Sequence, residues 1–429
     1  MDKLVIAGGA ALRGQVRISG AKNASLAILC ASAMASDRVL LENVPRINDV
    51  HVMTEILRGL GAKVSWQGVD SLQIIPAGHL ADMPPYELAK KLRASNLLLG
   101  PLVARFGQAE VSLPGGCNIG VRPMDLHFKG LIGLGAELSL ERGAVKACAR
   151  GLRGTRVYLD FPSVGATENI MMAACLAEGQ TVIENVAKEP EVVDLANFLN
   201  CLGAKVRGAG TDVIKVEGVS TLGGCLRYAV IPDRIEAGTF MVAAAATRGR
   251  VTLENIIPQH LEPLIAKLRE AGVDIQEEED GVQICAEGAL KPIDIKTMPY
   301  PGFPTDMQSQ LMALLSTVPG TSLIVENIFE NRFRVADELK RMGARIKVEG
   351  RVAVIEGVEK LHGTQVRATD LRAGAALVVA GLMAEGETEI CNTSYIDRGY
   401  HHLEHKLRGL GANIWRAGDP ETAAAAGGH

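Results

Sequence analysis

Two helical patterns alternate along the chain. One is a one-sided apolar stripe, as in Phe333-Arg-Val-Ala-Asp-Glu-Leu-Lys-Arg-Met342, which ends in Leu-Gly-Ala or a close variant and leads into a strand. The glycines of this signature are Gly61, Gly135, Gly203, Gly272, Gly343 and Gly411, roughly 70 residues apart. Glycine is expected just past a helix, where φ turns positive. The other pattern is a run of small apolar residues, as in Ala375-Ala-Leu-Val-Val-Ala-Gly-Leu-Met-Ala384. A helix apolar on every side must be buried. Most copies continue into a glycine turn and a strand, and Thr252-Leu-Glu-Asn-Ile256 and Leu323-Ile-Val-Glu-Asn327 occupy the same point of the repeat. Each unit therefore holds two helices and about four strands, and the unit recurs six times. The simplest packing is an α/β fold of two domains, three repeats each, with apolar helices inside and sheets outside.

The buried helices open on polar residues: Lys22 and Asn23, Arg93, Thr167 and Glu168, Asp233 and Arg234, Asp306, and Asp370 with Arg372. Helix N-termini carry unsatisfied N–H groups and partial positive charge. Six aimed at one cleft would form an anion site. The alternative is that Asp233, Asp306 and Asp370 are N-caps with Arg234 and Arg372 paired to them.

At 429 residues the chain exceeds one ordinary core. A net charge of −4 argues against a nucleic-acid binder that relies on phosphate contacts. No run of about 18 apolar residues predicts a membrane span, and Met1-Asp-Lys-Leu-Val-Ile lacks a sustained apolar signal region. The eight cysteines form no Cys-x-x-Cys pair, so most are expected to be buried free thiols of a reducing compartment, the cytoplasm.

The loop Leu113-Pro-Gly-Gly-Cys-Asn-Ile-Gly-Val-Arg-Pro123 holds a thiol, Cys117, and a guanidinium, Arg122. Glycine and proline exclude regular structure there. The pair suits cysteine chemistry on an anionic substrate, although a glycine-rich turn with a small apolar cysteine has the same composition. His402, Glu404 and His405 could mimic a metal site, but on an amphipathic helix a solvated face is the plainer reading, and no metal or other cofactor is expected.

Together these residues resemble the UDP-N-acetylglucosamine 1-carboxyvinyltransferase family of enolpyruvyl transferases. The resemblance runs to about Gly418. It is carried by Ile18-Ser-Gly-Ala-Lys-Asn-Ala24, Gly100-Pro-Leu-Val-Ala-Arg-Phe-Gly107, the Cys117 loop with Arg122-Pro-Met-Asp-Leu-His127 and Pro232-Asp-Arg-Ile-Glu-Ala-Gly-Thr-Phe240. Phe303-Pro-Thr-Asp-Met-Gln308, Phe329-Glu-Asn-Arg-Phe333, Ala368-Thr-Asp-Leu-Arg-Ala373 and Tyr395-Ile-Asp-Arg-Gly-Tyr400 extend it. It implies two inside-out α/β domains with a cleft between them. One would span 21–230 and carry the Cys117 loop; the other would combine 1–20 with 231–418, leaving 419–429 as a disordered tail. It also implies transfer of enolpyruvate from phosphoenolpyruvate to the 3′-hydroxyl of UDP-N-acetylglucosamine, the step that opens peptidoglycan synthesis. Phosphate is released, and no nucleic acid, membrane or obligate protein partner takes part.

By the same resemblance, Cys117 protonates the methylene carbon and is the thiol alkylated by fosfomycin, and Asp306 is the base near the 3′-hydroxyl. Lys22, Arg122 and Arg398 form the phosphate cluster, and Arg332 and Arg372 reach the carboxylate side. Asn23 holds the sugar or the intermediate. Arg93 contacts the diphosphate. Pro123, Asp125, Leu126, Ser163, Val164, Gly165 and Ile328 contact the nucleotide-sugar, and Glu330 and Asp370 orient the arginines. Phe161-Pro162 and Leu97 depart from relatives that carry Lys-Val and Trp there, so uracil packing is the weaker part of the match. Two other readings share many features: a shikimate 3-phosphate enolpyruvyl transferase, and a non-catalytic UDP-sugar-binding paralogue.

Overall fold

The computed structural model describes residues 3–79, 92–112, 119–120, 123–141, 143–278 and 281–417. Among these, two compact bodies separate, one built on 20–112 and 123–231, the other on 3–19, 119–120 and 232–417. Each body holds three small sheets and its own apolar core.

In the 20–231 body the central helices are Lys22–Ser32, Leu99–Phe106 and Val164–Ala174. Its first sheet runs in the order Cys225–Ala229, Val39–Glu42, Leu72–Ile75, Lys63–Trp66. The second runs Gln108–Ser112, Ala144–Cys148, Glu137–Glu141, and the third Lys205–Arg207, Val213–Glu217, Gln180–Glu184, Arg156–Tyr158. In the other body the central helices are Arg234–Ala246, Gln308–Leu315 and Leu371–Met383. Strand Lys3–Ala7 pairs antiparallel with Glu387–Cys391, and Arg13–Arg17 pairs parallel with Arg250–Glu254, so the first residues complete two of its sheets.

The central helices are buried along nearly their whole length, from Arg372 to Leu382 in one case. The strands alternate, as in the exposed–buried pattern of Thr321–Val325. Helices inside and sheets outside is thus the observed architecture. Close helix packing requires small residues: a Cβ on Gly100 would lie 2.3 Å from the Asn169 carbonyl oxygen.

The outer helices all end alike. The six signature glycines have φ between +93° and +98°. At the first, Gly61 N donates to Arg58 O at 2.9 Å and Ala62 N to Leu57 O at 3.0 Å, and the same pair of bonds recurs at the other five. This is a Schellman stop, which satisfies carbonyls that the helix end would leave open. The Glu-Asn steps do a second job. Asn43, Asn185 and Asn255 adopt φ near +56°. Their Nδ2 groups donate to Val230 O, Leu159 O and Ile18 O at 2.7–2.8 Å, tying each strand end to the neighbouring chain.

The cysteines depart from expectation. Cys201, ending the helix Pro190–Cys201, is joined by a disulfide to Cys225 of strand Cys225–Ala229. Of the described free cysteines, Cys30 and Cys175 are buried, whereas Cys148 is exposed and Cys285 and Cys391 are half-buried. No described helix is long and apolar enough to cross a membrane.

Candidate active site

Cys117 and Arg122 lie outside the described residues; the other candidate residues are described body by body. In the 232–417 body they centre on Asp306. Pro304 is extended, and Asp306 sits in the 3-10 turn Thr305–Met307 that leads into the helix Gln308–Leu315. Its carboxylate does not cap that helix. Oδ1 accepts from Arg332 Nη2 at 2.7 Å, and Oδ2 accepts from Arg372 Nε at 3.1 Å. Arg332 is 2% exposed and Arg372 4%. Two desolvated guanidiniums thus share one carboxylate, and each keeps further N–H donors in the planar fork suited to oxyanions.

Asp233 and Asp370 do cap helices. Asp370 Oδ1 accepts from Arg372 N at 2.9 Å and Ala373 N at 3.0 Å, which fixes the backbone that carries the Arg372 side chain. Burial alone would push the Arg372 guanidinium towards losing its proton. Tyr400, Asp306 and Asp233 oppose this, and the net direction is up. The Nε of Arg332 is buried and has no hydrogen-bond partner among the described residues. Arg398 follows the short helix Ser394–Asp397 and is half-buried. Glu330, expected to orient the clustered arginines, instead pairs with Arg351 at 3.7 Å. Its carboxylate faces the backbone of Gly120, where an added Cβ would approach it to 2.5 Å. Next to it, Asn331 N donates to Ile119 O at 3.0 Å.

In the 20–231 body, Lys22 opens the first central helix, and its Nζ forms a buried ion pair with Asp49 at 2.7 Å. Asn23 beside it is exposed. Among the residues matched to the nucleotide, Arg93, Asp125 and Gly165 lie near His127. Asp125 begins the helix Asp125–Gly133, and Ser163 Oγ caps the helix Val164–Ala174 by accepting from Ala166 N at 3.4 Å. An added Cβ on Gly165 would lie 3.3 Å from His127 Nε2 and 3.9 Å from Leu97. Burial first, then the charge of half-buried Arg93, push the His127 imidazole down to about 4, against the opposing pull of Asp125. Asn169 Oδ1 accepts from Gly100 N at 2.6 Å, so its Nδ2 faces His127 Nδ1 at 3.0 Å. His127 is therefore neutral, with its proton on Nε2. Pro123 is exposed, and Leu126 and Val164 are half-buried.

Three supports were given no role by the sequence. Buried Glu326 accepts from Thr305 Oγ1, Thr297 Oγ1, Ile328 N and Phe329 N, at 2.8–3.1 Å. It thereby orders both the Asp306 turn and Ile328. Asp49 holds Lys22, and Tyr400 touches Arg372. Glu326 lies in the recurring Leu323-Ile-Val-Glu-Asn327 segment and Tyr400 in the Tyr395–Tyr400 motif, which are the signals that could have found them. His402, Glu404 and His405 place ligand-type atoms within 4.8 Å of one another. However, Glu404 accepts from Arg416 Nε at 2.8 Å, and His405 Nδ1 lies 3.0 Å from Arg408 Nη2.

A family model described as EPSP synthase (3-phosphoshikimate 1-carboxyvinyltransferase) matches residues 6–407. UDP-N-acetylglucosamine 1-carboxyvinyltransferase 2 of Carboxydothermus hydrogenoformans is 58% identical over 421 residues, covering 98% of this chain and 100% of that protein. UDP-N-acetylglucosamine 1-carboxyvinyltransferase 1 of Caldanaerobacter subterraneus subsp. tengcongensis is 56% identical over 415 residues, covering 96% and 99%. Among solved structures, the enolpyruvyl transferase NikO from Streptomyces tendae superposes with a TM-score of 0.88 at 29% identity, covering 98% of this chain and 99% of that one. EPSP synthase from Acinetobacter baumannii shares the fold, with a TM-score of 0.77 at 21% identity over 97% and 100% of the two chains.

Proposed function

The chain belongs to the UDP-N-acetylglucosamine 1-carboxyvinyltransferase family of enolpyruvyl transferases, and from that premise we propose that it transfers enolpyruvate from phosphoenolpyruvate to the 3′-hydroxyl of UDP-N-acetylglucosamine. The observation that carries this reading is full-length identity of 58% to a relative named for that activity. The product enters peptidoglycan synthesis, and the enzyme works in the cytoplasm without an obligate protein partner.

The reaction is an addition followed by an elimination. The sugar oxygen attacks C2 of phosphoenolpyruvate while the methylene carbon gains a proton, and Asp306 takes the proton of the hydroxyl. The tetrahedral ketal then loses phosphate from C2 and a proton from the adjacent carbon. Cys117 is assigned as the proton donor to the methylene carbon. Lys22, Arg122 and Arg398 take the phosphate, and Arg332 and Arg372 the carboxylate. The Asp306 geometry supports its part: both carboxylate oxygens are oriented by buried guanidiniums, which fixes a base without a flexible stem. Arg93, Pro123, Asp125, Leu126, Ser163, Val164, Gly165 and Ile328 take the nucleotide-sugar, with Asn23 near the reacting centre and Asp370 holding Arg372.

Phosphate release, measured with phosphoenolpyruvate and either UDP-N-acetylglucosamine or shikimate 3-phosphate, tests the reading. Turnover is expected with the UDP-sugar alone. Turnover with shikimate 3-phosphate would move the chain to the other branch, and binding of the UDP-sugar without turnover would make it a non-catalytic paralogue.

A further inference from the structure

Tyr400 is 3% exposed and lies where the three central helices of the 232–417 body pack together. Its hydroxyl is 2.9 Å from Thr239 Oγ1, on the helix Arg234–Ala246. Arg372 Nη1, on the helix Leu371–Met383, donates to Tyr400 Oη at 3.2 Å. Gln310 Nε2, on the helix Gln308–Leu315, donates to Thr239 Oγ1 at 3.2 Å.

The direction of every proton in this chain follows from the partners. Thr239 donates its own hydrogen to Ile235 O at 2.8 Å, so its oxygen has acceptor sites left. One takes the Gln310 amide. The other must take the Tyr400 hydroxyl hydrogen, because the arginine on Tyr400's far side can only donate. Tyr400 therefore donates to Thr239 and offers its oxygen to Arg372. The line continues through Arg372 Nε to Asp306 Oδ2, and from Asp306 Oδ1 to Arg332 Nη2.

Arg372 is thus gripped on two sides. Its Nε faces the Asp306 carboxylate and its Nη1 faces the Tyr400 hydroxyl, while its Cζ lies 5.5 Å from the Tyr400 ring centroid. A long side chain held at one point swings; held at two, it keeps a single rotamer. Burial also pushes the Tyr400 phenol up, although Arg372 pulls it down, so it stays a neutral hydroxyl able to donate on one side and accept on the other.

We infer that Tyr400 is a positioning residue for the enolpyruvyl transfer, which through the Gln310–Thr239–Tyr400 hydrogen-bond line fixes the guanidinium of Arg372 against Asp306 for the incoming carboxylate. The inference rests on the reading above that Arg372 serves phosphoenolpyruvate. Tyr400 touches no reacting atom; it acts through Arg372.

The test is Tyr400→Phe, which keeps the ring and its stacking on Arg372 and removes the hydroxyl. Losing one hydrogen bond to a charged group should lower kcat/KM for phosphoenolpyruvate roughly tenfold. The dissociation constant for UDP-N-acetylglucosamine should not change. Thr239→Ser, which keeps the oxygen, should behave like the parent; Thr239→Val should follow Tyr400→Phe. In an Arg372→Lys background, adding Tyr400→Phe should cost nothing further, because the residue through which it acts has gone. If Arg372→Lys is impaired and Tyr400→Phe is not, the role given to Tyr400 is wrong. If the two substitutions multiply independently, Tyr400 does not act through Arg372. If Arg372→Lys itself leaves kcat/KM for phosphoenolpyruvate unchanged, the assignment of Arg372 falls, and this inference with it.

Discussion

Glu326 offers the sharpest test of how the Asp306 turn is held. It is 1% exposed, and its two oxygens accept from two backbone N–H groups and two threonine hydroxyls. In Glu326→Ala all four donors lose their acceptor. The hydroxyls can rotate towards other partners, but Ile328 N and Phe329 N cannot. Two half-buried N–H groups left without their acceptor, at the low end of about 1–3 kcal/mol each, give a loss of about 2 kcal/mol. Glu326→Gln is nearly isosteric. Its remaining oxygen keeps three of the four bonds, and Thr305 can turn its hydroxyl to accept from the amide. The loss there is the difference between charge-assisted and neutral hydrogen bonds, about 1 kcal/mol. Trp415, in strand Asn413–Arg416 of the same body, reports unfolding of that body in urea once Trp66 of the other body is changed to Phe. Turnover should fall with the turn, since a displacement of about 1 Å at a positioned group costs roughly 10²-fold. A Glu326→Ala protein within about 1 kcal/mol of its parent, turning over normally, would refute this account of the turn.

Four further outcomes can be checked with Trp66 fluorescence or turnover. The folded His127 pKa lies below its unfolded value of 6.5, at about 4, so the unfolded chain binds the extra proton between those limits. Its contribution, about 3 kcal/mol, is complete above the upper limit and lost as pH falls towards the lower one. His127→Gln should flatten that part of the stability curve, and an unchanged slope would show that His127 is not the group responsible. Asp49→Asn removes the carboxylate facing the Lys22 ammonium and should lower urea stability by about 3 kcal/mol; no change would mean the pair adds nothing. Gly203→Ala introduces a Cβ with nothing within 4 Å, at φ +97°, so backbone strain alone should cost about 1–2 kcal/mol. Cys117→Ala should abolish phosphate release while sparing UDP-sugar affinity, and normal release would remove it from the chemistry.

The repeat was legible because its causes are local. A positive-φ glycine after an amphipathic stripe is a short-range requirement, and all six glycines have that conformation. Helices with no polar face announced their burial in the same way. The partners of the candidate site residues were less legible. Asp306 had the position and chemistry of an N-cap, and its carboxylate went instead to Arg332 and to Arg372, 26 and 66 residues away. Glu330 was read as an arginine partner inside the cluster, yet its position on an exposed loop brings it to Arg351. Tyr400 and Thr239 meet across 161 residues, and Cys201 and Cys225 pair because a helix end and a strand start coincide in space. Local pattern sets the elements; contacts between elements depend on packing that no short window contains.

Asp306, fixed between two buried arginines, is assigned as the base that takes the hydroxyl proton during enolpyruvate transfer. The most direct test of that assignment is phosphate release by the parent and by Asp306→Asn, both saturated with phosphoenolpyruvate and UDP-N-acetylglucosamine. Release is expected from the parent only when both substrates are present, at a rate at least about 10²-fold lower in the variant with UDP-sugar binding retained. Equal rates in the two proteins would contradict it.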